Sequence, residues 1–211
     1  MCGAGLANTV GAHCDTPLPD DPASSLSALL RSAPTVGVSG SRAPSPVAAS
    51  VCRWAVRHLA PSASVVTGCA AGIDGVARAL RPSASVVRVS AFGSGPGALA
   101  ARSTAVVQAA RAGGGPSSLW LAFPSGPCPG GLAPARQSSA CFSGHGSGTW
   151  ASLALAVGLG VPALVFLPAG VPAPPASGPG AWPLAPVPGC AGRRGAWLRF
   201  RPSVVQSALF C

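Results

Sequence analysis

The chain repeats one local pattern, in which an apolar segment ends at a glycine-rich turn and a helix-compatible segment follows. The clearest copy starts at Ala63, passes through the turn Gly68–Asp74 and continues to Leu80. Two further copies have their turns at 40–42 and 93–95. Glycine at a strand end lets the backbone bend sharply and brings its N–H groups close to a ligand. The next helix then directs its positive N-terminal end at the same place, so the pattern predicts a pocket for a phosphate-bearing ligand.

The order of these segments determines the fold class. We expect strands near 35–39, 64–67, 85–90, 119–123 and 162–167, and helices near 22–32, 46–59, 73–80, 97–112 and 148–158. Strands that alternate with helices form a doubly wound, mostly parallel α/β sheet of the Rossmann-like kind. Because its crossovers are right-handed, the glycine turns gather at the carboxyl edge of the sheet, where such proteins bind their ligands.

The length of 211 residues suits one sizeable core, so a single domain is expected. Residues 1–33 are interpreted as an N-terminal leader followed by a short helix, and residues 34–168 as the Rossmann-like binding domain. Residues 169–211 are rich in proline and glycine and are interpreted as a C-terminal extension, in which residues 196–201 add an edge strand.

The charge of the chain is strongly positive, with a formal net value of +10 that comes entirely from arginine. No basic run exceeds Arg193-Arg194, so this charge forms a diffuse field rather than a basic tail. Such a field attracts polyanions, and we therefore expect a nucleotide or a single-stranded nucleic acid as the partner. Sheets of this kind often pair through their helix faces, which makes a homodimer a further candidate.

The eight cysteines include no C-x-x-C pair, which argues against a zinc ribbon. Cys141 and His145 stand at a spacing that suits two metal ligands, but a single pair is more typical of packing or loop roles. The sequence therefore predicts neither a metal site nor a cofactor. No signal peptide is visible, so reduced thiols and a cytoplasmic location are expected.

The apolar stretch from Trp150 to Pro168 approaches the length of a membrane span. Gly158, Gly160 and Pro162 interrupt it where a helix-to-strand turn belongs. We therefore expect a buried helix followed by a buried strand, and no membrane association.

The candidate ligand groups lie at the turns. At the first turn, Gly40, Ser41 and Arg42 offer backbone N–H groups, a hydroxyl and a guanidinium that can hold a phosphate with two hydrogen bonds. The alternative for Arg42 is a solvent-facing turn residue. Before the fourth strand-to-helix junction, the run Gly146, Ser147, Gly148, Thr149 forms an anion cradle without the lysine of a P-loop.

The second turn contributes Gly68, Gly72 and Asp74 to the candidate site. Asp74 either caps the following helix or accepts hydrogen bonds from a ribose or a base. Arg102, about one turn into the third helix of the repeating pattern, either reaches the pocket or is solvated. Asp74 and His145 are the titratable groups that qualify for acid–base work at the pocket.

At these residues the chain resembles the DNA-processing protein A (Smf-like) family and the wider superfamily that includes the lysine-decarboxylase-like, cytokinin-activating enzymes. The resemblance rests on three segments in the same order, Val36–Arg42, Val65–Asp74 and Ser147–Thr149, and covers roughly residues 35–168. It implies a Rossmann-like fold and a nucleotide or nucleic-acid ligand.

The chain departs from the patterns of both groups. The DNA-processing family usually carries Arg at the position of Ala71 and His at the position of Arg78. The cytokinin-activating relatives use a Gly-Thr-x-x-Glu motif, whereas Gly148-Thr149 leads here to Ser152 and the chain has no Glu. A non-catalytic binding module is therefore the leading hypothesis. The alternatives are an N-glycosidic hydrolase of nucleotides and a structural or partner-binding protein with a degenerate site.

Overall fold

The strands of the chain form one seven-stranded sheet in the computed structural model, which describes residues 22–202. They are β1 (Thr35–Gly40), β2 (Ser64–Gly68), β3 (Ser85–Val87), β4 (Leu119–Phe123), β5 (Ala163–Pro168), β6 (Ala185–Gly192) and β7 (Gly195–Phe200). Their order across the sheet is β3-β2-β1-β4-β5-β7-β6. The first five strands are parallel, and β7 runs antiparallel to both β5 and β6.

The helices cover both faces of this sheet. They are α1 (Pro22–Ser32), α2 (Pro46–His58), α3 (Ile73–Leu80), α4 (Gly95–Gly114), α5 (Ser138–Cys141) and α6 (Gly148–Gly158), with short 3₁₀ segments at Val89–Phe92 and Gly115–Ser117. The predicted doubly wound, mostly parallel α/β fold is thereby confirmed.

The alternation of side chains along the strands builds two cores, one on each face. Val36 and Val38 of β1 belong to the core under α1, α2 and α3. Trp120 of β4 belongs to the opposite core under α4 and α6, where its ring crosses Gly37 of β1 so closely that a Cβ there would overlap it. Because successive residues of a strand point to opposite faces, Ser39 shares the α4 and α6 face with Gly37.

The third strand is shorter than the sequence predicts. Instead of running through residue 90, β3 ends at Val87, and a 3₁₀ segment starts at Val89. The backbone N–H of Val89 donates a hydrogen bond to Cys69 Sγ at 3.3 Å. The ladder ends there because the partner strand β2 itself ends at Gly68, which lies opposite Val87.

Two strands between residues 185 and 200 extend the same sheet. The predicted strand at 196–201 exists as β7 (Gly195–Phe200), but its predicted place at the edge is wrong, because β6 lies outside it. Trp197 fixes β7 to the core, with its ring centroid 5.7 Å from that of Phe123 and 5.5 Å from that of Phe166.

The apolar stretch 150–168 divides as the sequence predicts. Its first part is the body of α6 and its second part is β5, and nearly all residues of both are buried. Across residues 22–202, no helix is both long enough and apolar enough to cross a bilayer.

Candidate functional site

A cavity of about 560 Å³ opens at the carboxyl ends of β1 and β4. From β1 the chain crosses to β2 and β3 on one side, and α4 then returns it to β4 on the other side. The two strands are therefore the switch point of the sheet, where diverging crossovers leave a crevice for ligands. The volume lies within the range of small-molecule sites, and the open space differs from the side-chain-filled pocket that a degenerate site would have.

Most of the predicted site residues line this cavity. They are Gly40, Ser41, Arg42, Gly68, Asp74, Arg102, His145, Gly146, Ser147, Gly148 and Thr149. Gly72 is not among the lining residues. The parallel topology thus brings together groups that lie more than 100 residues apart in the chain.

Gly72 serves the architecture of the site instead of contacting a ligand. Its φ of 69° lies in the region that favours glycine, and a Cβ there would overlap the carbonyl oxygens of Ser41 and Arg42. The N–H of Ile73, next in the chain, donates to the Ser41 carbonyl at 3.1 Å. The turn after β2 therefore packs against the turn after β1 and holds it in position.

The turn after β1 is held by its own backbone. The N–H of Ser41 donates to the carbonyl of Phe123 at 3.0 Å, and the Ser41 hydroxyl accepts from the N–H of Ala43 at 3.1 Å. The Arg42 side chain is exposed at the cavity. Among the described residues that line the cavity, Arg42 is the arginine without an acidic partner, so its positive charge is available to a ligand.

The N-terminus of α6 forms the opposite wall. Ser147 Oγ accepts from the N–H of Trp150 at 3.4 Å, and the Ser147 carbonyl accepts from that of Ala151 at 2.9 Å. Within the described part of the chain, the N–H groups of Gly148 and Thr149 have no hydrogen-bond acceptor. Two free N–H donors at the positive end of an eleven-residue helix favour an anion.

A buried ion pair joins the second turn to α4. Arg102 Nη1 donates to Asp74 Oδ2 at 3.0 Å, and the two side chains are 9% and 6% exposed. The sequence-based alternative of a solvated Arg102 is therefore wrong. Gly68 makes the pair possible, because a Cβ at that position would overlap Arg102 Nη1.

The protonation of Asp74 reflects opposing influences. Burial raises the pKa of the Asp74 carboxyl group above its usual value, because a low-dielectric environment disfavours the charged form. The Arg102 guanidinium and a backbone hydrogen bond from Ala70 work in the other direction. Asp74 is therefore engaged by protein groups, and it neutralises the charge of Arg102.

Arg78 is a structural residue of the site that the sequence reasoning missed. Its Nη1 donates to the carbonyl of Gly68 at 2.6 Å, and its Nη2 donates to that of Ala70 at 2.9 Å. These bonds fix the turn after β2, where α3 begins. A usable signal was its position four residues after Asp74, which returns a helical side chain to the turn that precedes the helix.

The remaining titratable groups of the cavity are His145 and Cys141. His145 lines the cavity together with Asp74. The Cys141 thiol is buried and donates to the carbonyl of Ala135 at 3.5 Å, and burial raises its pKa above the usual value. Residues 22–202 contain no group of three or more His, Cys, Asp or Glu side chains placed to hold a metal ion.

No protein-family model matches the chain, and neither a curated protein nor a solved structure is significantly similar to it.

Proposed function

We propose that the chain binds the phosphate group of a nucleotide, or of a single-stranded nucleic acid, in the cavity at the switch point. One observation carries the proposal. The cavity places the uncompensated guanidinium of Arg42 together with the free N–H groups of Gly148 and Thr149. Arginine and a helix N-terminus are two independent anion-binding devices, and here they line one space.

The overall charge and the sequence resemblance support the same class of ligand. A net charge of +10 raises the local concentration of polyanions around the protein. The resemblance to the DNA-processing protein A family rests on the segments 36–42, 65–74 and 147–149, and all three contribute residues to the cavity. The function we propose is therefore that of a phosphate-binding module for nucleotides or single strands.

Replacing Arg42 by alanine is expected to weaken binding of a fluorescent single-stranded DNA about tenfold, because a charge-assisted contact with phosphate is lost. Arg57→Ala is the matched control, since Arg57 is also exposed but lies on α2 away from the cavity. Both variants lower the net charge by one, so the difference between their DNA affinities reports the contribution of the Arg42 side chain at the cavity. Fluorescence anisotropy at two salt concentrations measures the affinities and the salt dependence.

Competition by mononucleotides distinguishes the two sources of phosphate. Displacement of the DNA by a nucleotide shows that both use the cavity, whereas binding of nucleotides alone indicates a small-molecule site. Equal losses for Arg42→Ala and Arg57→Ala would show that the diffuse charge binds DNA without the cavity, and would refute the proposal.

A hydrolytic activity is a second candidate, because Asp74 and His145 line the same cavity. In an N-glycosidic hydrolysis, Asp74 would orient the ribose or activate water, and His145 would donate a proton to the leaving base. The ion pair of Asp74 with Arg102 favours the orienting role. Chromatographic detection of free base from nucleoside monophosphates tests this candidate, and an unchanged rate in His145→Ala would reject it.

A further inference from the structure

Three buried polar atoms without hydrogen-bond partners lie at the same cavity. Among residues 26–202, the buried side-chain nitrogen and oxygen atoms that lack a partner are Ser39 Oγ, Arg102 Nε and Trp120 Nε1. Each of the three residues lines the cavity. Buried polar groups are nearly always hydrogen-bonded in proteins, so a concentration of all three exceptions at one site indicates that a bound ligand or an ordered water completes their hydrogen bonds.

These three residues, which we name the donor floor, share one face of the sheet. Trp120 lies beside Gly37 in the pairing of β4 with β1, and Ser39 follows two residues further along β1 on the same face. Arg102 reaches that face from α4, across Gly68 of β2. The absence of a side chain at Gly37 and Gly68 therefore lets the indole and the guanidinium lie against the strands.

The donor floor differs in charge and burial from the rest of the cavity. Asp74 neutralises Arg102 through Nη1, Trp120 is completely buried, and Ser39 is half-buried with its Oγ covered. By contrast, Arg42 and Gly148 are exposed, and they belong to the group that we name the phosphate rim, which is Arg42, Gly148 and Thr149. A phosphate gains most from the charged, solvated rim, whereas a buried and formally neutral floor suits an uncharged acceptor.

We propose that the donor floor binds the acceptor-bearing edge of a nucleobase, so that a nucleotide enters base first with its phosphate at the rim. This inference rests on the proposed function. Arg102 Nε and Trp120 Nε1 each supply an N–H donor, and Ser39 supplies a hydroxyl. The three floor atoms are covered in the structure, so binding of a base includes displacement of the side chains that cover them.

The donor set selects among bases of equal size. Guanine presents two adjacent acceptors, O6 and N7, whereas adenine presents N7 beside an amino group that is itself a donor. Opposite two N–H groups, adenine leaves two donors facing each other, which is unfavourable at a buried site. The floor therefore favours guanine and hypoxanthine, which also carries O6 and N7, over adenine.

The test is a set of equilibrium titrations of the full chain with four ligands that share a 5′-phosphate. Guanosine and inosine monophosphates are expected to bind about tenfold more tightly than adenosine monophosphate and ribose 5-phosphate. Agreement between the guanosine and inosine nucleotides would assign recognition to O6 and N7 rather than to the 2-amino group of guanine.

Variants connect that preference to the floor. Trp120→Phe is expected to reduce the ratio of guanosine to adenosine nucleotide affinities about three- to tenfold, since it removes one of the two N–H donors on which the preference rests. Arg42→Ala is expected to weaken all four ligands by a similar factor. Because Trp120 belongs to the core, its variant is checked for folding by urea denaturation. Ser39→Ala, with minimal loss of volume, is expected to weaken the nucleotides relative to ribose 5-phosphate, because its hydroxyl can donate to or accept from any base.

The outcomes separate this inference from the function on which it rests. Arg42-dependent binding that is equal for all bases and for ribose 5-phosphate would overturn the donor floor and leave the phosphate site standing. If none of the four ligands binds, or if their binding is unchanged in Arg42→Ala, the phosphate site is refuted and the floor with it.

Discussion

Replacing Asp74 by alanine is expected to lower the free energy of unfolding by about 3–5 kcal/mol, as measured by urea denaturation. The carboxylate and its partner Arg102 are nearly inaccessible to water. Removal of the acid leaves a guanidinium without a counter-charge beside the sheet, and arginine cannot become neutral by losing a proton. The loss therefore contains the penalty of an unpaired buried charge in addition to the hydrogen bond at 3.0 Å.

A second substitution provides the control for this result. In the background of Asp74→Ala, Arg102→Met removes the unpaired charge and keeps much of the apolar volume, so part of the lost stability is expected to return. The double variant should then be more stable than Asp74→Ala alone. A loss below about 1 kcal/mol for Asp74→Ala would contradict the prediction, because it would indicate a pair screened by solvent.

Replacing Gly72 by alanine is expected to destabilise the fold by about 3 kcal/mol or more. Two effects act together at this position. The backbone has a φ of 69°, which L side chains rarely adopt, and the added methyl group would overlap the carbonyl oxygens of Ser41 and Arg42. Relief requires the two turns to separate, which breaks the hydrogen bond from Ile73 to Ser41.

Gly75, three residues later and within α3, is a matched control. A Cβ at Gly75 would approach nothing closer than 3.7 Å, and Gly75 is not among the glycines with positive φ. Gly75→Ala is expected to leave stability unchanged or to raise it by about 0.5–1 kcal/mol, since alanine favours the helix. Equal effects of the two substitutions in thermal or urea unfolding would show that the contact between the turns has little importance.

Local patterns predicted the elements whose residues carry their own signals. The bounds 73–80, 119–123 and 148–158 coincide with α3, β4 and α6, because each begins or ends at a glycine turn beside an apolar run. Because parallel strands have their carboxyl ends at the same edge of the sheet, the turns lie together there, and most of the candidate site residues lie with them.

The elements that sequence reasoning missed depend on tertiary partners. β6 (Ala185–Gly192) contains Pro186 and Pro188 and shows no alternation of apolar and polar residues. The sequence alone therefore gives no reason to predict a strand there. An outer strand tolerates proline, because its outward N–H groups need no partner in the sheet. The pair of Asp74 with Arg102 was missed for a similar reason, since 28 residues separate them and only the packing of α4 over Gly68 brings them together.

The hairpin of β6 and β7 also bears on self-association of the chain. Without it, β5 would present an apolar run with unpaired backbone groups to other molecules, which is a template for aggregation. The antiparallel pairing of β7 along all of β5 removes that template. The new border is β6, where Pro186 and Pro188 lack N–H donors and the register with β7 is irregular. The hairpin thus replaces an aggregation-prone edge strand by an edge strand that is poorly suited to pairing with a strand of another copy of the chain.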